Sequence, residues 1–228
     1  NYFHIRAVDN AGNWSSPVHF GPFYIDTTNP TDPIDLTSTS HTASTWSNDN
    51  TIDISWTAAT DTDGSGVDGY SYTWDTTADS VIDTSKDIEE GITTLTSAVL
   101  DDGDSHYFHI RTKDNVGNWT ATEHLGPFYI DTTNSSGPSS FLSSSHTVST
   151  WSSDATVDIS WTAATDTGGS GLDGYSYTWD TTTDTTPNTS KDIEEGITSL
   201  TSSSLSDGAS NYFHIRAVDN AGNWSSPV

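Results

Sequence analysis

Short segments in which hydrophobic and polar residues alternate recur along this chain. In segment 52–57, Ile52, Ile54 and Trp56 are separated by single polar residues. Segment 70–75 alternates in the same way, with three aromatic rings on one side and polar residues on the other. Because successive side chains of a strand point to opposite faces, each segment predicts a strand with one buried face.

The same region contains further predicted strands separated by turn residues. In segment 107–111, Phe108 and Ile110 form the buried side, and His109 lies on the outer, exposed side. The other assignments are strands at 92–100 and 125–130, a turn at 102–103 and a helical turn at 86–90 that is too short to be a helix. The predicted core comprises Trp56, Tyr70, Tyr72, Trp74, Phe108 and Ile110, together with their copies 105 residues later.

The chain repeats itself with a period of 105 residues. Tyr2, Tyr107 and Tyr212 begin three copies of one pentapeptide, and residues 19–123 align with 124–228 without an insertion or deletion. Such a period indicates tandem copies of one domain. The predicted organisation is the last two strands of a preceding repeat with a linker at 1–28, a complete repeat at 29–133 and a second repeat at 134–228 that lacks its final strand.

Because the chain begins in mid-domain and stops before an expected strand, we expect it to be a window on a longer periodic protein. Its partners would then be neighbouring repeats of the same chain or identical chains in a filament. Such a filament could be formed in two ways. The repeats could belong to one covalent polymer, or separate chains could exchange strands with each other.

Composition narrows the possible partners. Six basic and 32 acidic residues give a formal net charge of −26, which argues against nucleic acid and anionic membrane surfaces and favours a cation. No apolar stretch approaches the roughly 18–20 residues that span a bilayer, so membrane insertion is not expected. Cysteine is absent, and 11% of the residues are aromatic, so large rings are expected to supply the core.

Several motifs of one repeat occur in an order typical of a known family. They are an Ile-Ser-Trp strand, a Gly-Ser-Gly loop, Gly69-Tyr70, Leu100 followed by Gly103, Phe108-His109-Ile110-Arg111 and a Gly-Asn-Trp loop. The repeat resembles a fibronectin type III domain of the prokaryotic extracellular kind. The resemblance implies an all-β fold, with rod-like tandem domains that are seven-stranded antiparallel β-sandwiches of the fibronectin type III and immunoglobulin-like class.

One position departs from the family's pattern. Six residues after Leu100, where the family usually has a corner tyrosine, this chain has His106, and the equivalents in the other copies are Asn1 and Asn211. The resemblance therefore does not predict the corner hydrogen bond from this position, and the neighbouring Tyr107 is the alternative donor.

Aspartates are the candidate metal ligands. The loop 61–68 contains three aspartates and two glycines, in a pattern that resembles a calcium loop without the spacing of an EF-hand. In a sandwich of this type, two loops and the preceding linker meet at one pole, and there they would gather three carboxylates per junction. The predicted interdomain calcium ligands are Asp26, Asp61 and Asp114 at one junction and Asp131, Asp166 and Asp219 at the next. The alternative is that these aspartates simply form turns.

Other polar clusters have a simpler interpretation as surface or turn residues. His106, His109 and His124 could suggest zinc, but an exposed polar patch is favoured. Acidic residues at 87–90 and 192–195 could suggest a glycosidase pair, but they are adjacent in a polar segment instead of facing each other across a cleft. Glycosylation sequons at Asn13, Asn118 and Asn223 are interpreted as turns.

The sequence therefore predicts a structural protein and not an enzyme. The preferred hypothesis is the stalk or shaft of a secreted cell-surface fibre, filament or adhesin, because near-identical copies suit a spacer. The alternative is a carbohydrate-binding or spacer module of an extracellular glycanase, with Trp119 or Tyr107 stacking on a glycan ligand.

Overall fold

The computed structural model describes residues 1–228, in which all regular secondary structure is β-strand. The first 28 residues contain β1 (Phe3–Ile5) and β2 (Val18–Phe20), which pair with each other. The next eight strands are β3 (Ile34–Ser38), β4 (Trp46–Ser47), β5 (Asp53–Thr57), β6 (Val67–Asp75), β7 (Ile88–Glu89), β8 (Thr94–Thr96), β9 (Gly103–Asp114) and β10 (Glu123–Ile130). The last six are β11 (Ser139–Ser143), β12 (Asp158–Thr162), β13 (Leu172–Asp180), β14 (Ile193–Glu194), β15 (Ser199–Thr201) and β16 (Tyr212–Asp219).

Strands β3 to β10 form two sheets that enclose one core. One sheet has the order β3-β5-β8, and the other has the order β4-β10-β9-β6-β7. All pairs are antiparallel except β4 with β10, which is parallel. The predicted all-β sandwich is confirmed, and the two-residue β4 is an addition to the seven expected strands.

Strands β11 to β16 repeat this arrangement in a second sandwich. Its sheets have the orders β11-β12-β15 and β14-β13-β16, which match β3-β5-β8 and β7-β6-β9 of the first sandwich. Val228 exchanges two backbone hydrogen bonds with Ile215. Each strand pair in the structure lies within one of the ranges 1–28, 29–133 and 134–228.

Aromatic rings fill the space between the sheets, as the alternation of residues predicts. Trp56, Tyr70, Phe108 and Ile110 are buried in one cluster, which is the predicted core. The partly buried Tyr72 and Trp74 pack against this cluster from β6. Further buried members of the cluster are Ile52, Ile54, Ala59, Ile88, Phe128 and Ile130.

The predicted helical turn at 86–90 is wrong. Residues Ile88 and Glu89 form β7, which pairs with Gly69 and Tyr70 of β6. Ile88 is buried in the core, so extended backbone gains both a sheet partner and an apolar contact that one isolated helical turn could not provide.

The predicted exposed position of His109 is also wrong, because its side chain is completely buried. Its Nδ1 lies 2.6 Å from Nδ1 of His124, and its Nε2 lies 3.0 Å from Oδ1 of Asp75. The segment between β6 and β7 crosses this outer face, where Arg111 donates from Nε to the carbonyl of Asp83 at 3.1 Å. Coverage by this long connection cannot be read from the alternation within β9.

A histidine replaces the corner tyrosine in the first sandwich. Nε2 of His106 lies 2.8 Å from the carbonyl oxygen of Asp101, five residues upstream. At the equivalent place in the second sandwich, Nδ2 of Asn211 donates to the carbonyl of Ser206 at 3.1 Å. The backbone contact is therefore kept by two different side chains, and Tyr107 is not needed for it.

We expect Trp56→Ala to lower the free energy of unfolding of the first sandwich by roughly 3–5 kcal/mol, because a buried indole leaves a large cavity. The matched control is Trp151→Ala, since Trp151 is 80% exposed. Urea denaturation of both variants, followed by intrinsic fluorescence and circular dichroism, measures the difference. A loss below about 1 kcal/mol for Trp56→Ala, typical of surface substitutions, would contradict its place in the core.

We expect His106→Ala to cost about 0.5–1.5 kcal/mol, the usual net contribution of one hydrogen bond. His106→Asn is the control, because the second sandwich uses asparagine at this corner. Denaturation should show most of the loss only for alanine. Equal losses in the two variants would show that the hydrogen bond at the corner contributes little.

Candidate functional site

Three carboxylates converge at each of the two junctions between successive repeats. Oxygens of Asp26, Asp61 and Asp114 lie within 4.8 Å of one another, and oxygens of a second set lie equally close. The second set, which we call the junction cluster, consists of Asp131, Asp166 and Asp219. The structure therefore brings together the six aspartates that the sequence predicts as ligands.

The three members of the junction cluster come from three separate segments. Asp131 directly follows β10, the last strand of the first sandwich. Asp166 lies in the loop between β12 and β13, and Asp219 is the last residue of β16. Since β13 and β16 are paired with Leu172 opposite Asp219, the loop before β13 and the end of β16 meet at one pole. The linker must pass this pole to enter the second sandwich.

Backbone amides hold the carboxylates of the junction cluster in place. Oδ2 of Asp131 accepts a hydrogen bond from the amide of Ser170 at 2.7 Å. Oδ2 of Asp166 accepts from the amide of Gly171 at 2.7 Å. Both donors lie in one loop, which thereby holds a linker carboxylate and a domain carboxylate side by side.

Gly169 leaves the space in which these carboxylates approach each other. A Cβ atom at this position would lie 2.7 Å from Oδ2 of Asp131 and 2.7 Å from both oxygens of Asp166. Gly64 occupies the equivalent position at the first junction, where a Cβ would overlap the carboxylate of Asp61. Any other residue would push the carboxylates out of this cradle.

Asparagine side chains bridge the linker and the following sandwich. Nδ2 of Asn223 donates to the carbonyl of Asp131 at 2.8 Å, and Nδ2 of Asn118 donates to the carbonyl of Thr28 at 3.1 Å. The sequence predicts these asparagines as turn residues within sequons and does not predict the bridge. Their recurrence four residues after Asp114 and Asp219 was the available signal. Because these amide nitrogens are donors inside a junction, the structure favours a structural role over glycan attachment.

The negative charges of the junction cluster repel one another without a compensating positive charge. Asp131 and Asp219 are buried, and no Lys, Arg or His side chain pairs with any carboxylate of either junction within 4.0 Å. Two charges 4.8 Å apart repel each other by roughly 3 kcal/mol at an effective dielectric constant of about 20. Burial raises the pKa of Asp219 above its usual range, and the charge of Asp131 adds to this effect.

The first junction is more open to solvent and more fully hydrogen-bonded. Hydrogen bonds from Ser65 and Thr28 lower the pKa of Asp26 to about 2. The buried Asp114 accepts bonds on both oxygens, including one from Nδ2 of Asn118 to Oδ2 at 2.7 Å. The two junctions therefore have the same arrangement of carboxylates but differ in how many of the carboxylate oxygens accept hydrogen bonds.

The remaining aspartates of the loop 61–68 lie outside the first cluster. Asp63 has a positive φ of 65°, and its counterpart Gly168 has a φ of 84°, so this position serves a left-handed turn. Asp68 pairs with Lys86 at 2.9 Å and with Lys113 at 3.0 Å. Only Asp61 of this loop contributes to the junction.

The other acidic and histidine candidates also have structural partners. Asp87 accepts hydrogen bonds from Oγ of Ser71 at 3.1 Å and from the amide of Tyr72 at 3.0 Å. Glu89 pairs with Lys86 at 3.0 Å. His106, which is engaged at the corner, is not part of the His109 pair. Neither set presents two carboxylates across a cleft or three convergent histidines.

We expect Asn223→Ala to destabilise the docking of the linker by about 1–3 kcal/mol, because the carbonyl of Asp131 would lose its buried donor. Asn10→Ala is the control, since Asn10 is exposed and makes no side-chain hydrogen bond. Hydrogen exchange of the amides of residues 131–136 measures the change. Unchanged exchange in Asn223→Ala would contradict the bridging role.

The chain shares sequence similarity with two named proteins. No protein-family model matches the chain. It is 30% identical over 97% of its length to Exoglucanase B of Cellulomonas fimi and 32% identical over 88% of its length to Chitinase A1 of Niallia circulans. The chain spans 19% and 25%, respectively, of the lengths of these relatives.

Several solved structures resemble the chain at low sequence identity. The fibronectin(III)-like modules of Clostridium thermocellum CbhA are 13% identical, with a TM-score of 0.42 over 85% of this chain and 90% of theirs. The FN1–FN3 domains of chicken CNTN1 are 12% identical, with a TM-score of 0.42 over 99% of this chain and 74% of theirs. The strand order of the two sheets and the motifs at their expected places identify the chain as a tandem array of fibronectin type III-like β-sandwich domains.

Proposed function

We propose that the chain is a non-catalytic spacer in an extracellular glycan-degrading enzyme. The observation that carries this proposal is the way in which its relatives match. Nearly the whole chain aligns with Exoglucanase B and with Chitinase A1, yet it accounts for only a fifth to a quarter of each. This chain therefore corresponds to one segment of each relative, and most of each relative's length lies outside that segment.

The acidic residues of the chain support a non-catalytic role. Catalysis by two carboxylates requires one on each side of a bound sugar, with one of them held protonated. Here Asp87 and its copy Asp192 orient backbone and hydroxyl groups of the neighbouring strand. Their acidic neighbours Glu89 and Glu194 pair with lysines on the surface.

The aromatic residues considered as platforms for a sugar ring are already partly covered. The guanidinium of Arg111 lies over the ring of Trp119 at 4.6 Å, and Arg216 lies over Trp224 at 4.4 Å. The ring of Tyr107 stacks on His109 at a centroid distance of 6.3 Å. A sugar would have to compete with these contacts for the same ring faces, so the spacer role is favoured over the carbohydrate-binding role.

Charge and composition fit a secreted spacer. A net charge of −26 keeps neighbouring molecules apart, and the absence of cysteine avoids thiol oxidation outside the cell. No helix in the structure is long and apolar enough to cross a membrane.

We expect the purified chain to remain in the supernatant when it is mixed with crystalline cellulose or chitin and centrifuged, because Arg111 and Arg216 cover the rings of Trp119 and Trp224. Trp119→Ala and the exposed-site control Trp151→Ala should behave like the unmodified chain. The opposite result would be that the unmodified chain pellets with the polysaccharide, that Trp119→Ala abolishes this binding and that Trp151→Ala does not. That result would favour the carbohydrate-binding function over the spacer function.

A second candidate function is the shaft of a cell-surface fibre. The near-identity of the repeats favours it, since residues 1–18 and 211–228 have the same sequence. Immunogold electron microscopy with an antibody against the second sandwich distinguishes the two functions in the producing cells. Labelled filaments on the cell surface would favour the fibre, whereas label confined to secreted protein bound at substrate particles would favour the enzyme spacer.

A further inference from the structure

We propose that the junction cluster binds a divalent cation, with calcium as the preferred ion, and that this ion fastens the linker to the second sandwich. The inference goes beyond the spacer function and does not depend on it. It rests on the carboxylates of Asp131, Asp166 and Asp219, which the linker and two segments of the second sandwich contribute.

The first argument is an unsatisfied oxygen inside the cluster. The side chain of Asp219 is 1% exposed, and its Oδ2 has no hydrogen-bond partner. Its Oδ1 is fully used, because it accepts from the amides of Ala221 at 3.0 Å and Asn223 at 2.8 Å. A buried carboxylate oxygen without a donor is costly, and a cation on its free side would remove that cost.

The second argument is the direction in which the other two carboxylates are held. The amides of Ser170 and Gly171 fix one oxygen of Asp131 and one of Asp166. Oδ1 of Asp166 makes no hydrogen bond, and Gly169 leaves open the space beside both carboxylates. The carboxylate oxygens therefore lie close together, and hydrogen bonds already hold their side chains in place. This order lowers the entropic cost of binding an ion.

The turn interpretation explains only part of this arrangement. A turn accounts for the bonds from Ala221 and Asn223 to Oδ1 of Asp219. It does not explain why two further carboxylates from distant segments approach within 4.8 Å while no basic side chain neutralises them. A bound cation would remove their mutual repulsion and would satisfy Oδ2 of Asp219 at the same time.

The donor set selects the class of ion. Carboxylate oxygens are hard ligands, and the cluster contains neither sulfur nor imidazole, so zinc and copper are disfavoured. Calcium accepts six to eight oxygens in flexible geometry and can complete its shell with carbonyls and water. Magnesium requires a compact octahedron and releases its water reluctantly, so it should bind more weakly here.

The first junction provides an internal comparison. Asp26, Asp61 and Asp114 form the same arrangement, but there Oδ2 of Asp114 already accepts from Asn118 at 2.7 Å. In the second junction the equivalent asparagine donates to the carbonyl of Asp131 instead. We therefore expect the ion at the junction cluster, where the buried Oδ2 of Asp219 has no other partner.

Isothermal titration calorimetry of the complete 228-residue chain with CaCl₂, after chelator treatment, tests the inference. We expect calcium to bind at the junction cluster, and at least tenfold weaker binding of MgCl₂. Asp166→Asn should remove this binding, because the amide keeps the shape but loses the charge. Asp207→Asn is the matched control, since Asp207 is an exposed aspartate outside both clusters.

A second variant separates ion binding from a purely structural role. Asp219→Asn should melt at a higher temperature than the unmodified chain in chelator, because one repelling charge is gone, and should gain less from added calcium. If Asp219→Asn and the unmodified chain melt at the same temperature in chelator and gain equally from calcium, the role of Asp219 is limited to stabilising the turn. The inference is overturned if the unmodified chain binds no calcium at millimolar concentration, or if Asp166→Asn and Asp207→Asn bind equally.

Discussion

Packing of aromatic rings between two small sheets is the interaction on which this structure depends. Phe108 lies at the centre of the first sandwich, with ring-centroid distances of 5.1 Å to Trp74, 6.0 Å to Tyr72 and 6.2 Å to Trp56. Phe213 has the same neighbours in the second sandwich, at 5.0 Å from Trp179. A chain with only 31% hydrophobic residues needs such large rings, because each buries more apolar area than an aliphatic side chain.

The junctions depend on this packing because it fixes the ends of the strands. Once β13 and β16 are paired over the aromatic core, the loop that contains Asp166 and the turn that begins at Asp219 are held at one pole. Asp131 is then placed against them by the amide of Ser170 and by Asn223. The contact between domains is thus polar and specific, in contrast to the apolar interior of each domain.

The two repeats show which features tolerate change. The corner contact is made by His106 in one sandwich and by Asn211 in the other, because only a donor directed at the upstream carbonyl is required. Lys113, which pairs with Asp68, is replaced by Val218, and Asp173 then pairs with Lys191 alone. The three carboxylates of each junction are retained in both copies, together with the glycine that makes room for them.

The sequence by itself determined the repeat, the sandwich class, most of the core and the six junction aspartates. The alternation of hydrophobic and polar residues identifies buried strand faces such as that of Trp56. The 105-residue repeat then extends each assignment to the next copy. Only the tertiary structure decided that Ile88 forms a strand, that His109 is covered and that Oδ2 of Asp219 is left without a donor. These three features depend on segments that are distant in the chain. The alternation of residues within one strand does not indicate which other segment covers its outer face or contacts its end.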